Sequence, residues 1–480
     1  MTATTGKKII KNSLYIITGN FLNKAISIAI LVYLTTYLSP AGFGRFSFII
    51  SYTAFFGIFT DLGLNTFLTR EICAGTISPN EGFAHAVVLR LAATILTAVI
   101  LLLSLLVMGY SVDVIWLAAA SCLSLLLSFR GMFFRTVFNI PFQVHLRMNC
   151  PAAVNFLNEI LTLGVVLWLI SIGSTLFTII LGMALVNLPG FIALAFYSMR
   201  LIKPRFSFEP EVWKKLLKET IPLGAAVFLE GLFIIIPIFF LSLFSSDEAM
   251  GFYGLSFRLV SSLWIVPVAV MMSLLPRMSL DAARPGSSVS QGFSKSLKLM
   301  LLIGLPMAAF TVYFSTSIIT ALAGKGYSPA APLLSIMIWG TFMYFINSVF
   351  FYTFTAGGRQ SLNTLTWAVV SVASALTCLT LIPTYGHMGA AVGFVAPLTL
   401  GVLVNIFLAR RFFSIDASAI FLRFFLSGVL AVIIMALTPF NPVISLALAV
   451  GAYITTLYYQ GTLSFREWGE WLGAGKVESK

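Results

Sequence analysis

LYIITGNFLNKAISIAILVYLTTYL, residues 14–38, decides how the rest of the chain is read. As a helix it is long enough to cross a bilayer, because ~20 apolar residues at ~1.5 Å each traverse ~30 Å of hydrocarbon, where only a helix satisfies its own backbone. Lys7, Lys8 and Lys11 precede it, but the stretch is too long for the core of a secretion signal and ends without a small-residue cleavage site. It is therefore expected to remain as the first span. Within it Asn20, Asn23, Lys24 and Ser27 follow the spacing i, i+3, i+4, i+7, which puts them on one face. A charge facing lipid at mid-helix costs ~2.5–3.5 kcal/mol on insertion scales, so this face points into a bundle or a water-filled cavity. Lys24 lies ~16 Å into the helix, beyond the reach of snorkelling.

The remainder of the chain repeats this character. Of 480 residues, 59% are hydrophobic and 9% charged, with a mean hydropathy of +1.00, whereas a soluble protein carries roughly a quarter charged residues. The fold class is an all-α polytopic membrane protein with about fourteen transmembrane helices. The spans are placed at 13–38, 45–68, 84–108, 112–134, 150–172, 174–199, 217–244, 252–278, 293–318, 330–356, 361–383, 388–411, 418–437 and 441–460. With the N-terminus cytoplasmic, the loop Lys and Arg residues fall inside except Arg45 and Lys325, a bias that also places the C-terminus inside. Topology thus explains the net charge of +13, and nucleic acid is not an expected partner.

Other chemistry is sparse. Cys73, Cys122, Cys150 and Cys378 show no metal or redox spacing, and His85, His145 and His387 are isolated, so no metal site and no cofactor are expected. No phosphate-cradling GxxxxGK[ST] loop, HExxH or Ser-His-Asp arrangement occurs, which argues against an enzyme. An internal repeat is visible instead. Gly42, Phe43, Ser47 and Phe48 recur at one constant offset as Gly251, Phe252, Ser256 and Phe257, and the same offset lays span 1 on span 7. Such duplication fits transporters whose halves rock about a central site.

The stripe in span 1 has counterparts. Asn155, Asn158, Glu159 and Thr162 share one face of span 5; Asp61 and Asn65 lie in span 2; Gly254, Arg258, Ser261 and Ser262 in span 8; Tyr344, Asn347 and Ser348 in span 10. For the uncharged members the plainer reading is helix packing with modest hydrogen bonds. The ionised ones divide between two readings. Lys24 and Arg258 supply positive charge to an anionic headgroup, or they form structural pairs, Lys24 with Asp61 and Arg258 with Glu230; a strong anion such as diphosphate can release such a pair. Asp61, Glu159 and Glu230 are candidates for coupling to H+ or Na+. Pro222 and Pro237 bracket Glu230, and Pro267, Pro276 and Pro306 interrupt spans 8 and 9, each inviting a kink.

These segments together resemble a known family. Asn12-Ser13, Gly19-Asn20, Leu38-Ser39-Pro40-Ala41-Gly42-Phe43-Gly44, Asp61-Leu62-Gly63-Leu64 and Thr69-Arg70-Glu71 are similar to the polysaccharide-biosynthesis (O-antigen/exopolysaccharide) flippases of the multidrug/oligosaccharidyl-lipid/polysaccharide exporter superfamily. Ile221-Pro222-Leu223, Gly324-Lys325-Gly326-Tyr327, Ala356-Gly357-Gly358 and Gly389-Ala390-Ala391 agree, so the likeness covers about residues 7–412. The resemblance implies two pseudo-symmetric six-helix lobes around a central cationic cavity, an N-lobe at 1–205 and a C-lobe at 206–412, with helices 13–14 and a cytoplasmic tail at 413–480. It implies a flippase of the bacterial inner membrane moving an undecaprenyl-diphosphate-linked oligosaccharide to the periplasmic leaflet, with a polysaccharide polymerase complex as a further partner. By the same likeness Lys24, Arg45 and Arg258 line the cavity. The nearest rival is a cation-coupled multidrug exporter on the same architecture; a membrane-embedded polymerase or ligase would need an outer reaction surface that no loop here is long enough to form.

Overall fold

The computed structural model describes residues 3–61, 63–205, 210–283, 289–413, 418–437 and 442–460. Side chains ahead of Phe21, including Asn20, and those of Pro222, Pro276 and Arg277 lie outside the described residues, as do Arg284 and the tail beyond 460.

The first span is α1 (Ala3–Tyr37). Ser39 then caps α2 (Pro40–Gly57), its hydroxyl accepting from the Gly42 amide at 3.2 Å while Pro40 occupies a first-turn position whose N–H has no helical partner anyway. Span 2 is not one rod. It tightens into a 3-10 turn at Ile58–Thr60, passes Gly63 at φ 86°, a left-handed conformation that suits glycine, and restarts as α3 (Leu64–Ala74). Next come α4 (Pro79–Val107) and α5 (Val112–Leu127), after which Ser128 is extended and the chain folds through a 3-10 turn, Phe134–Asn139, into the short α6 (Ile140–Val144). The segment continues as α7 (Asn149–Ser171), α8 (Leu176–Leu185) and α9 (Leu188–Leu201); Pro189, lacking an N–H, divides the last two.

The second half begins with α10 (Pro210–Phe244), one continuous helix past Pro237, so the proline beyond Glu230 does not break it. Ser246 caps α11 (Asp247–Ser262), with Asp247 and Glu248 in the first turn where the helix dipole favours negative charge. The break expected from proline falls between α11 and α12 (Ile265–Ala283), where Pro267 cannot bond to the Leu263 carbonyl four residues back. The chain then forms α13 (Val289–Ala323), which runs through Pro306, a 3-10 turn at Lys325–Tyr327, α14 (Ala330–Ala356), α15 (Gln360–Tyr385), α16 (His387–Phe413), α17 (Ser418–Leu437) and α18 (Pro442–Tyr459). Among the described residues ten helical segments are long and apolar enough to cross a membrane, with shorter apolar helices at Phe21–Tyr37, Val112–Leu127 and Ala447–Tyr459.

Broken helices leave carbonyls without partners, and in a bilayer each must find one inside the protein. Arg90 supplies several. It lies in the body of α4 at 1% exposure, donating from Nε to Thr60 O at 3.1 Å and from Nη2 to Met132 O and Phe133 O at 2.6 and 2.7 Å. One guanidinium thereby ties the break in span 2 to the segment after α5.

The two halves meet most closely where the repeat lies. A Cβ on Gly44 would overlap the Asp247 carbonyl oxygen, and one on Gly251 would overlap that of Pro40, so α2 and α11 touch backbone to backbone. Phe43 and Phe252, equivalent in the repeat, both meet the ring of Tyr327 edge-on, at 6.1 and 6.2 Å. The Tyr327 hydroxyl donates to Leu38 O at 3.1 Å, and burial pushes this phenol up, keeping it a donor. The end of the molecule bearing Arg45 and Lys325 is thus closed by apolar packing between the halves.

Candidate functional site

Away from that closed end, a cavity of about 350 Å³ separates the halves. Lys24 and Ser27 of α1 and Phe55 of α2 line it on one side, Arg258 and Ser262 of α11 on the other, and Arg130 of the extended segment after α5 completes it. The helical spacing of the two stripes is what delivers them: Lys24 with Ser27, and Arg258 with Ser261 and Ser262, occupy single faces turned inward.

The cavity is electropositive. Among the described ion pairs neither Lys24 nor Arg258 takes part. Arg258 rests its guanidinium on the face of Phe46, 5.0 Å from the ring centroid, and 6.0 Å from that of Phe43. Arg130 pairs with Glu159, which is buried on α7. Lys24 lies within electrostatic reach of Arg258, Arg130 and Glu159. Three cations against one carboxylate leave an excess of positive charge in this space.

The expected pairs do not form. Asp61 is held by Arg90 at 3.3 Å rather than by Lys24, because it follows the 3-10 turn and faces α4; its other task is to accept from the Asn65 amide at 3.1 Å, capping α3. Glu230 is held by the Tyr344 hydroxyl at 3.0 Å rather than by Arg258. It sits in a separate hollow of about 200 Å³ inside the second half, with Asn347, Asn363, Thr366 and Asn405. There Asn405 donates to Asn347 Oδ1 at 2.9 Å, Thr366 donates to Asn405 Oδ1 at 2.6 Å, and Asn347 donates to Leu398 O at 2.9 Å. The carboxylates Asp61, Glu159 and Glu230 therefore occupy three different environments.

Arg45 is not in the cavity in this conformation. It lies at the closed end, half exposed, with Nε donating to Asp247 Oδ2 at 2.6 Å across the α2–α11 contact. Asn23 is half-buried on α1, its Oδ1 buried without a partner, and the Asn20 side chain is outside the described residues. The span 5 stripe faces the interior of the first half: Asn155 accepts from Arg135 at 3.2 Å and Asn158 donates to Asn187 at 3.0 Å.

Sequence reading missed Arg130. Ser128-Phe129-Arg130-Gly131 follows directly on an apolar run expected to continue as one span at 112–134, but the helix ends at Leu127 and the next residues return into the protein. Among the described residues no group of three His, Cys, Asp or Glu side chains stands close enough to hold a metal.

Comparison with known proteins agrees with this architecture. The family model described as "Polysaccharide biosynthesis protein" matches residues 9–280, and the model "MatE" matches residues 222–382. A putative O-antigen transporter of Shigella flexneri is 20% identical over 419 residues, 85% of this chain and 99% of that protein. An uncharacterised membrane protein of Methanocaldococcus jannaschii is 30% identical over 105 residues, only 22% of this chain and 21% of its own length. Among solved structures, the lipid II flippase MurJ in an inward closed conformation superposes with a TM-score of 0.75 at 15% identity, covering 94% of this chain and all of that one. An inward-facing multidrug resistance MATE family transporter of the MOP superfamily gives 0.62 at 15% identity over 82% of this chain and 94% of its own. The fold is thus the one shared by these transporters, and the chain, matched by the family model over more than half of its length, belongs to the polysaccharide biosynthesis protein family.

Proposed function

We propose that the protein is a flippase that carries an undecaprenyl-diphosphate-linked oligosaccharide from the cytoplasmic to the periplasmic leaflet of a bacterial inner membrane, for O-antigen or exopolysaccharide assembly. The observation that carries this reading is the cavity between the halves in which Lys24 and Arg258 stand unpaired beside Arg130. A diphosphate matches that arrangement: charge-assisted hydrogen bonds to phosphate are strong where water is scarce, and three converging cations relieve their own repulsion on binding it. The Shigella relative and the MurJ likeness support the substrate class.

The topology proposed with it has fourteen crossings, both termini cytoplasmic, an N-lobe at 1–205, a C-lobe at 206–412 and two further helices at 413–480. In this frame the contact at Gly44 and Gly251 is a periplasmic closure, and the cavity loads from the cytoplasm. Alternating access then requires α2 and α11 to part, which frees Arg45 from Asp247 to meet the departing headgroup. Binding drives the exchange only if the loaded protein favours the switching conformation. Glu230, in its polar hollow, is the residue proposed for coupling to H+ or Na+. A polysaccharide polymerase complex on the periplasmic side is the proposed recipient.

Replacing Lys24 or Arg258 by Gln tests the reading. Losing a charged hydrogen bond of ~1.5–3 kcal/mol should cut surface-polysaccharide export by about tenfold or more at unchanged protein level. Normal export by both variants would overturn it. Glu230 and its Asn and Tyr neighbours favour one second reading, a cation-coupled multidrug exporter. That rival requires efflux of a cationic dye lost on Glu230→Gln, with surface polysaccharide unaffected by any of the three substitutions.

A further inference from the structure

Beside the cationic cavity, inside the first half, lies a smaller hollow of about 130 Å³. Thr53 of α2, Ser121 and Ser124 of α5, Ser128 and Thr162 of α7 put hydroxyl-bearing residues on its wall. Ile50, Ala54 and Arg130 border both spaces, so Arg130 stands at the boundary between them. The turn that carries it is held by the Arg130 amide, which donates to Ser128 Oγ at 3.2 Å, and by Gly131 at φ 66°. The side chain is held at one point, Nη2 donating to Glu159 Oε1, and Nε and Nη1 have no partner among the described residues.

The two members of this pair differ in their surroundings. The Arg130 side chain is 38% exposed, whereas that of Glu159 is 1% exposed, with Oε2 buried and without a hydrogen-bond partner. Thr162 follows Glu159 by one turn on the same face of α7 and borders the small hollow. Few other ionisable groups face this point from the elements packed on α7. Helix α1 brings Lys24 within electrostatic reach, and Arg258 of α11 acts in turn on Lys24. The segment after α5 brings Arg135, whose partner on α7 is Asn155, one turn before Glu159. Helix α8 has no ionisable residue. On α9, Tyr197 is exposed and Arg200 lies over the Phe196 ring, ~15 Å along the helix from Gly190, where α9 meets Asn158. Glu159 is the one carboxylate of this set.

We propose that Arg130 is shared between two anions: Glu159 holds it while the cavity is empty, an incoming diphosphate draws it away, and Glu159 then accepts a proton by way of the hydroxyl-lined hollow. The inference rests on the lipid-diphosphate reading above and adds a proton to the loading step. A phosphate engages two nitrogens of a guanidinium at once, where Glu159 engages one, so the headgroup is the stronger partner. A carboxylate left buried without its cation is costly, and a proton is the counter-charge small enough to reach Oε2. One O–H bond forms: a proton passes from water to Glu159 for each headgroup bound, and leaves when Arg130 returns. Because the loaded protein then holds one proton more than the empty one, affinity rises as pH falls, by up to about tenfold per pH unit. The gradient coupling assigned to Glu230 is a separate event in the second half.

The test uses the full chain in lipid nanodiscs, with farnesyl-diphosphate-linked N-acetylglucosamine as probe, a diester that lacks the ionisation near ~6 of a phosphate monoester. Calorimetry in buffers of different ionisation enthalpy counts the protons taken up on binding. Wild type should take up about one, and a protonated-carboxyl band should appear in difference infrared spectra. Lys24→Arg keeps the charge on α1 and has no proton to gain, so uptake should persist in it. Glu159→Gln should bind without uptake, with affinity flat in pH and no infrared band. Uptake by Glu159→Gln, or its loss in a Lys24→Arg protein that still binds, would overturn the proposal by placing the proton on Lys24. Binding by wild type with no uptake would overturn it without any variant, by showing that Arg130 serves both anions at once. If wild type failed to bind the probe, the functional reading would fall and this inference with it.

Discussion

Gly44 and Gly251 place α2 and α11 in direct backbone contact, each glycine lying where any Cβ would overlap a carbonyl oxygen of the other helix. No rotamer change relieves such an overlap, since the obstacle is main chain. Gly44→Leu or Gly251→Leu is expected to hold this end apart. Thiol labelling of a cysteine at Ser51 by a membrane-impermeant reagent applied from the side that bears Arg45 and Lys325 should rise severalfold, and export should be lost at near-normal protein level. Labelling equal to that of the glycine-containing protein would show that the contact is dispensable for closure.

The Arg45–Asp247 bridge spans the same contact but is half exposed, and exposed pairs contribute ~0–1 kcal/mol. Asp247→Asn should therefore shift the closed population by less than about fivefold. A spectroscopic distance across the ends of α2 and α11 measures that shift. Its sensitivity to salt should exceed that of the glycine variants, because screening weakens surface pairs and leaves apolar packing intact.

Arg130 stands between the cavity and Glu159, so the carboxylate offsets part of the charge offered to a ligand. Glu159→Gln removes that offset. Inorganic diphosphate should bind severalfold more tightly, read by calorimetry, while export slows because release is impeded. Weaker binding would mean that Glu159 serves to aim Arg130 rather than to moderate the field.

Arg90 and Asp61 form a buried pair, at 1% and 8% side-chain exposure, and Arg90 also bonds three carbonyls. Arg90→Ala leaves a buried carboxylate unpaired and should destabilise by ~3–5 kcal/mol, lowering the amount of folded protein. Arg90→Lys should recover little, because an ammonium cannot reproduce the planar fork. Arg90→Ala with Asp61→Asn should recover part of the loss. Thermal unfolding followed by size-exclusion chromatography distinguishes the three.

Glu230 keeps its Tyr344 hydrogen bond if replaced by Gln, so the hollow should hold its shape. Transport by Glu230→Gln in proteoliposomes should lose its dependence on an imposed H+ or Na+ gradient while diphosphate binding stays within about twofold. Retained gradient dependence would move the coupling role elsewhere.

The membrane class, the all-α character and the charged faces of α1 and α11 were legible in the sequence, because hydropathy and the i, i+3, i+4, i+7 spacing are local properties; the breaks within spans 2, 4 and 8 were not. Lys24, Ser27, Arg258 and Ser261 accordingly line the cavity. Partner choice was not legible. Asp61 meets Arg90 and Glu230 meets Tyr344 because helices distant in the chain are rotated and set in depth by packing, as at Gly44 and Gly251, and no local pattern encodes that rotation. Arg130 reaches the cavity only because α5 stops at Leu127 and Arg90 gathers the carbonyls of the segment that follows. A helix satisfies its backbone within itself, so its existence follows from composition; a cavity is enclosed only when separate helices meet, and that was decided by the tertiary structure.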